Sequence, residues 1–124
     1  MANEFTLNAS LAYEDSESAD LLLSVVDKLV SITTKKFIHA KQSIGTSEEA
    51  IDLGELTAPL GWAIFINRDS TNYLEIRSGS GAANDVIRLN AGEFALFRFG
   101  SDVTAPYAIA NTAACQLEYA IFAP

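Results

Sequence analysis

Leu21-Leu-Leu-Ser-Val-Val-Asp-Lys-Leu-Val30 is the stretch on which the fold class turns. Leu22, Val25, Val26 and Leu29 fall on one face of a helix, and a helix there would be the one long helix of the chain. The run from Val25 to Thr34 is rich in Val, Ile and Thr, whose branched Cβ fits a pleated surface better than a helix interior. The segment is therefore read as a strand, with a helix over residues 18–31 as the alternative.

Outward from it the pattern is that of strands. Phe5, Leu7, Ala9, Leu11 and Tyr13 alternate with Thr6, Asn8, Ser10 and Ala12, which predicts a half-buried strand over residues 5–13. An acidic loop, Glu14-Asp-Ser-Glu-Ser-Ala-Asp20, separates the two segments. Downstream, strands are predicted at Phe37–Ile44, Leu60–Asn67, Tyr73–Arg77, Val86–Leu89, Phe94–Phe99, Tyr107–Ala110 and Cys115–Phe122. Turn signals at Gly79-Ser-Gly81, Asn90-Ala-Gly92 and Gly100-Ser-Asp102 divide them, and the polar segment around Leu53-Gly-Glu55 reads as a loop. Short strands with a turn roughly every 8 to 12 residues describe an all-β fold, an antiparallel β-sandwich of jelly-roll or related Greek-key topology. Leu60–Asn67 is apolar on both faces, so it is expected to be central and covered on both sides. The expected core is Trp62, Ile64, Phe94, Leu96, Leu117, Tyr119 and Ile121.

At 124 residues the chain is read as one sandwich domain over residues 1–124, long enough to bury a core without metal or disulfide staples. Its net charge of −8 and dispersed basic residues disfavour nucleic acid as a partner. The N-terminus has no basic region followed by an apolar run, and Leu21–Ile32 is interrupted by Ser24, Asp27, Lys28 and Ser31, so no membrane partner is expected. A 49% apolar chain with 19% charged residues suggests surface that is covered in an assembly.

The chemistry-bearing residues are few. His39 is the single histidine and Cys115 the single cysteine, too few for a cupin-type metal set, a Ser-His-Asp triad or a cysteine-based metal site. Cys115 alternates with Leu117, Tyr119 and Ile121 and reads as core. Glu48, Glu49, Asp52 and Glu55 lack the cadence of a calcium loop. Gly79-Ser-Gly81 lacks the βαβ setting of a dinucleotide fingerprint. No catalytic residue, cofactor or metal site is therefore expected, and the protein is read as a non-enzyme.

Arg68, Arg77, Arg88 and Arg98 all lie in the second half beside acidic turn residues, which suggests interfacial pairing with Glu75, Asp85 or Glu93. Tyr73 and Phe97 join them as candidate interface residues. Tyr73, Tyr107 and Phe97 are also the aromatics that a carbohydrate-binding sandwich would present. In Phe65-Ile-Asn-Arg-Asp-Ser-Thr-Asn-Tyr-Leu-Glu-Ile76, the polar turn residues are those that hold a tight reversal through Asx and Ser/Thr turns. Gly92 is expected to supply a positive φ in the Ala91-Gly-Glu93 turn.

Asn67-Arg-Asp-Ser-Thr-Asn-Tyr73, Ala91-Gly-Glu93, Ala110-Asn-Thr-Ala-Ala114 and Ser43-Ile-Gly-Thr-Ser-Glu-Glu49 together resemble a group of small tailed-bacteriophage structural proteins. In that group an Asn-x-Asp-x-Thr-Asn-Tyr hairpin precedes an Ala-Gly-Glu turn and an Ala-Asn-Thr-Ala-Ala segment. The resemblance covers most of residues 43–122. It implies a virion protein made in the host cytoplasm, a capsid decoration or cement protein that forms homo-oligomers and docks on a major capsid or tail protein. A tail or head-tail connector position and a carbohydrate-binding module are the alternatives.

Overall fold

Strand geometry dominates every described segment of the computed structural model, which describes residues 4–14, 21–32 and 36–124. Residues 15–20 of the acidic loop Glu14–Asp20, among them the first three residues of the helix alternative, 18–20, lie outside the described residues. Leu21–Ser31 is a strand, as its β-branched content predicts, and no α-helix occurs among the described residues. The chain divides into two units, Met1–Thr33 and Thr34–Pro124.

The first unit is an antiparallel ribbon of β1 (Glu4–Tyr13) and β2 (Leu21–Ser31). Its pairing runs Tyr13 to Leu21, Leu11 to Leu23 and Ala9 to Val25, then slips so that Leu7 faces Lys28 and Phe5 faces Val30. Two residues of β1 thus span three of β2, which is a β-bulge. Asp27 lies in the slip with φ 52, and its N–H donates to Asn8 Oδ1 at 2.8 Å. Asp is among the few non-glycine residues that enter this region readily, and the Asn8 amide oxygen takes the N–H that the interrupted ladder leaves over.

The bulge changes which residues share a face. Strand side chains alternate with period 2, so a regular β2 would set Asp27 and Leu29 beside Leu21, Leu23 and Val25. With one extra residue inserted, Lys28 and Val30 take those places. One face of the ribbon therefore carries Phe5, Leu7, Ala9, Leu11 and Tyr13 opposite Val30, Lys28, Val25, Leu23 and Leu21. The half-buried face expected for residues 5–13 is only partly so: Phe5 and Leu7 are half-buried, whereas Ala9, Leu11 and Tyr13 are exposed. Two strands alone have no second layer against which to bury a face.

The second unit is a sandwich of two four-stranded antiparallel sheets. One has the order β3 (Phe37–Ile44), β10 (Cys115–Phe122), β5 (Trp62–Asn67), β8 (Phe94–Arg98). The other has the order β4 (Glu49–Ala50), β9 (Tyr107–Ala110), β6 (Leu74–Arg77), β7 (Asp85–Leu89). The pairs β3 with β10, β4 with β9, β5 with β8 and β6 with β7 mirror one another about the β6–β7 reversal. β4, two residues long inside a segment that reads as a polar loop, is too short for periodicity to reveal.

Buried residues of the two sheets form one core, including Ile44, Phe65, Leu74, Ile76, Leu89, Leu117, Tyr119 and Ile121. Phe65 stacks on Phe97 at 5.7 Å between centroids and meets Phe99 edge-on at 6.1 Å. Leu117, Tyr119 and Ile121 are buried as expected, but the other four core candidates are not. Trp62, Ile64 and Leu96 are half-buried and Phe94 is 65% exposed.

The reason is the parity of β5. It is central, between β10 and β8, yet only Ala63, Phe65 and Asn67 point inward. Asn67 is fully buried, and its Nδ2 donates to the carbonyls of Asn72 and Leu89 at 2.9 and 3.0 Å. With Asn67 satisfied inside by these bonds, the odd residues of the strand face inward, and period 2 sends Trp62, Ile64 and Ile66 out.

Candidate interaction surfaces

The outer face of the β3-β10-β5-β8 sheet follows from that parity. Pairing aligns His39, Ala120, Ile64 and Leu96 in one row across the sheet and Lys41, Glu118, Ile66 and Phe94 in the next. Phe37 pairs with Phe122, their rings stacked 5.5 Å apart, and Trp62 pairs with Arg98. The β5–β8 half of this face is thus apolar, while the β3 half carries the charges. Water-facing sheet surfaces are ordinarily polar, which makes this apolar outer face a candidate contact surface. Beside Phe94, a shallow depression of about 480 Å³ is lined by Ile87, Arg88, Gly92, Glu93 and Ala95 among others.

Two of the four candidate arginines border this face. Arg98 lies over the Trp62 ring, 5.9 Å from its centroid. Arg68 donates through Nε to Glu118 Oε1 at 2.8 Å, and His39 Nε2 is 2.8 Å from Glu118 Oε2. Those two contacts, His39 first, hold the Glu118 carboxyl below the usual carboxylate range. Arg88, which lines the depression beside Phe94, lies 3.9 Å over the Tyr73 ring and 3.8 Å from Glu75.

Arg77 is an internal tie. It is buried, its Nε donates to Asp85 Oδ1 at 2.6 Å, and its Nη1 donates to Glu48 Oε2. Glu48 also accepts the Ser80 hydroxyl at 2.6 Å and the Gly81 N–H at 2.7 Å. These donors, Ser80 first, Gly81 next and then Arg77, lower the Glu48 pKa to about 2. The charge pattern that singled out Arg77 in the sequence carries no signal for Glu48, which lies 29 residues away.

The polar turn closes on itself. Asp69 Oδ2 accepts the N–H groups of Thr71 and Asn72 at 2.9 and 2.6 Å, and Asn67 Oδ1 accepts the Asp69 N–H at 3.0 Å. Gly92 has the expected positive φ, 80°, and its N–H donates to the Asn67 carbonyl. Asn67, an ordinary strand end in the sequence, is the residue on which this region hangs. Of the three aromatics that a carbohydrate-binding sandwich would present, Phe97 lies on the core side against Phe65 and Phe99, so the three do not share a surface.

His39 meets Glu118 on the outer face, and Cys115 is buried, which pushes its thiol up. Among the described residues no group of three or more His, Cys, Asp or Glu could hold a metal ion. Among the described residues no helix is long and apolar enough to cross a membrane. Compared with known proteins, the chain matches no family model, no curated protein and no solved structure.

Proposed function

We propose that the protein is a non-enzymatic structural component of a tailed-phage virion, a capsid decoration or cement protein that associates with its own copies and docks on a neighbouring virion protein. The observation that carries this reading is the apolar outer face of the β3-β10-β5-β8 sheet, with Phe94 65% and Phe37 58% exposed. An aromatic standing on a flat, half-apolar sheet is the anchor type that protein interfaces favour, and Arg98 and Arg68 at its border suit a polar rim. The resemblance of residues 43–122 to small phage structural proteins supplies the setting. The mirrored strand pairing supports a jelly roll among Greek-key sandwiches, because such a roll is one long antiparallel hairpin wound up on itself.

Co-sedimentation with particles lacking this chain tests the reading. The wild-type protein is expected to pellet with them and Phe94→Glu to stay in the supernatant, since a buried unpaired carboxylate is costly. Binding to tails but not heads would move the protein to the tail or connector. No binding to either, with glycan binding lost in Tyr73→Ala, would establish a carbohydrate-binding module instead.

A further inference from the structure

The outer face of the β3-β10-β5-β8 sheet differs in charge from the rest of the chain. Its outward positions carry three cations, Lys41, Arg68 and Arg98, against one carboxylate, Glu118, with His39 beside it. The chain as a whole has a net charge of −8, so a positive excess is gathered here while the remainder is strongly acidic. The outer face of the opposite sheet shows no such excess. There Arg88 pairs across the strands with Glu75, 3.8 Å from it, and Ile109 completes their row.

The carboxylates on and beside the docking face are occupied. Glu118 is held by Arg68 and His39. Asp69, next to Arg68, accepts the N–H groups of Thr71 and Asn72, and Glu93, next to Phe94, accepts that of Asn90. Lys41 and Arg98 are exposed and make no ion pair among the described residues. They stand at opposite corners of the face. Lys41 is on the edge strand β3 in the row of Phe94, whereas Arg98 is on the other edge strand, β8, at the end away from Phe94. Strand spacing and rise set these two positions about 20 Å apart, with Ala120 and Ile64 between them.

This arrangement selects its partner. Two copies meeting through the same face would set one excess of cations against another, which disfavours a symmetric self-contact. Cations about 20 Å apart, more than twice the Debye length of about 8 Å at physiological salt, are not the cluster that an anionic lipid surface or a nucleic-acid backbone calls for. An acidic protein surface with an apolar centre matches both the middle of the face and its corners. Such a surface repels the acidic remainder of the chain, so this face is the one that approaches it.

We infer that the docking face binds an acidic surface of a neighbouring protein, an apolar patch flanked by carboxylates that meet Lys41 at one corner and Arg98 at the other. The inference rests on the docking part of the function proposed above and names the chemistry of the partner. Apolar burial holds the complex, and the corner charges steer its approach and fix its orientation.

The test is co-sedimentation of the full chain with particles lacking it, over a salt series from about 50 to about 500 mM. Wild-type binding is expected to weaken several-fold along the series. At low salt, Lys41→Glu and Arg98→Glu are each expected to weaken binding about three- to tenfold and to flatten its salt dependence. Arg98→Lys, which keeps the charge, is expected to retain that dependence. Lys28→Glu, the same change of charge in the ribbon, is expected to bind as wild type does. Corner variants that bind as tightly as wild type, or more tightly, at every salt concentration would overturn the acidic partner and leave docking itself standing. A wild-type chain that pellets with no particle at any salt concentration would overturn the docking reading instead. A wild-type chain that polymerises without particles, and ceases to do so as Arg98→Glu, would make the acidic surface that of another copy and overturn a separate partner.

Discussion

The side-chain amide of Asn67 donates to the carbonyl of Leu89, 22 residues later in the chain, at 3.0 Å inside the sandwich. One buried side chain thereby joins the end of β5 to the end of β7, in the opposite sheet, and holds the Asn72 carbonyl of its own turn as well.

Asn67→Ala is expected to lower the denaturation midpoint substantially. Each buried group left without its partner costs about 1–3 kcal/mol, and the substitution orphans the Leu89 carbonyl in the core. Asn67→Asp keeps the shape but sets an anion against two carbonyls, so at neutral pH its midpoint is expected to fall below that of Asn67→Ala. Equal stability of all three proteins would mean that the amide is not the tie described.

That residue also explains what the sequence could and could not tell. Alternation located β3, β9 and β10 to the residue, because one side of each faces the core and period 2 is legible in Cys115–Phe122. In Trp62–Asn67 both parities are apolar, so hydrophobicity cannot choose the inward one, and the deciding residue is polar. The outer face went unread for the same reason: Ile64, Leu96 and Phe94 look like core. In the ribbon, the parity change at Asp27 is a backbone event, hidden in a stretch whose apolar residues also fit a helix.

Parity gives a direct comparison by mutation. Leu117→Ala, in the middle of the core, is expected to cost roughly 2–5 kcal/mol. Ile64→Ala, on the outer face of the neighbouring strand, is expected to cost clearly less. Chemical denaturation of both variants checks this, and the reverse ranking would invert the assignment of faces.

Glu48 predicts an acid limb of stability. Its folded pKa, about 2, lies below the ordinary 4.5, so its contribution is fully present above pH 4.5 and is lost as the pH falls towards 2. Glu48→Gln is expected to be less stable than wild type at neutral pH and to lose less on going from pH 5 to pH 2. Thermal melts across that interval measure the difference in slope.

Tyr119 predicts the alkaline limb. Its hydroxyl donates to the Asp52 carbonyl at 2.6 Å, and burial, followed by the Asp52 charge, pushes the phenol up to about 12 from 10.0. Stability from this group is present below pH 10 and lost as the pH rises through 12. In ultraviolet titration of the four tyrosines, Tyr119 is expected to ionise late, and Tyr119→Phe to remove that late step.

The mirrored pairing of the sandwich has a consequence in time. β6 and β7 are joined by a short reversal and can meet early, whereas β5 with β8, β4 with β9 and β3 with β10 close progressively longer stretches of chain. Loop closure is slower and less favourable the more chain it encloses, so folding has a natural direction, zipping from the Arg77–Asp85 reversal outward. The last pair to form sets Phe37 beside Phe122. During synthesis, β3 therefore leaves the ribosome long before its partner exists, and the sandwich can be completed only after nearly all of the second unit has emerged.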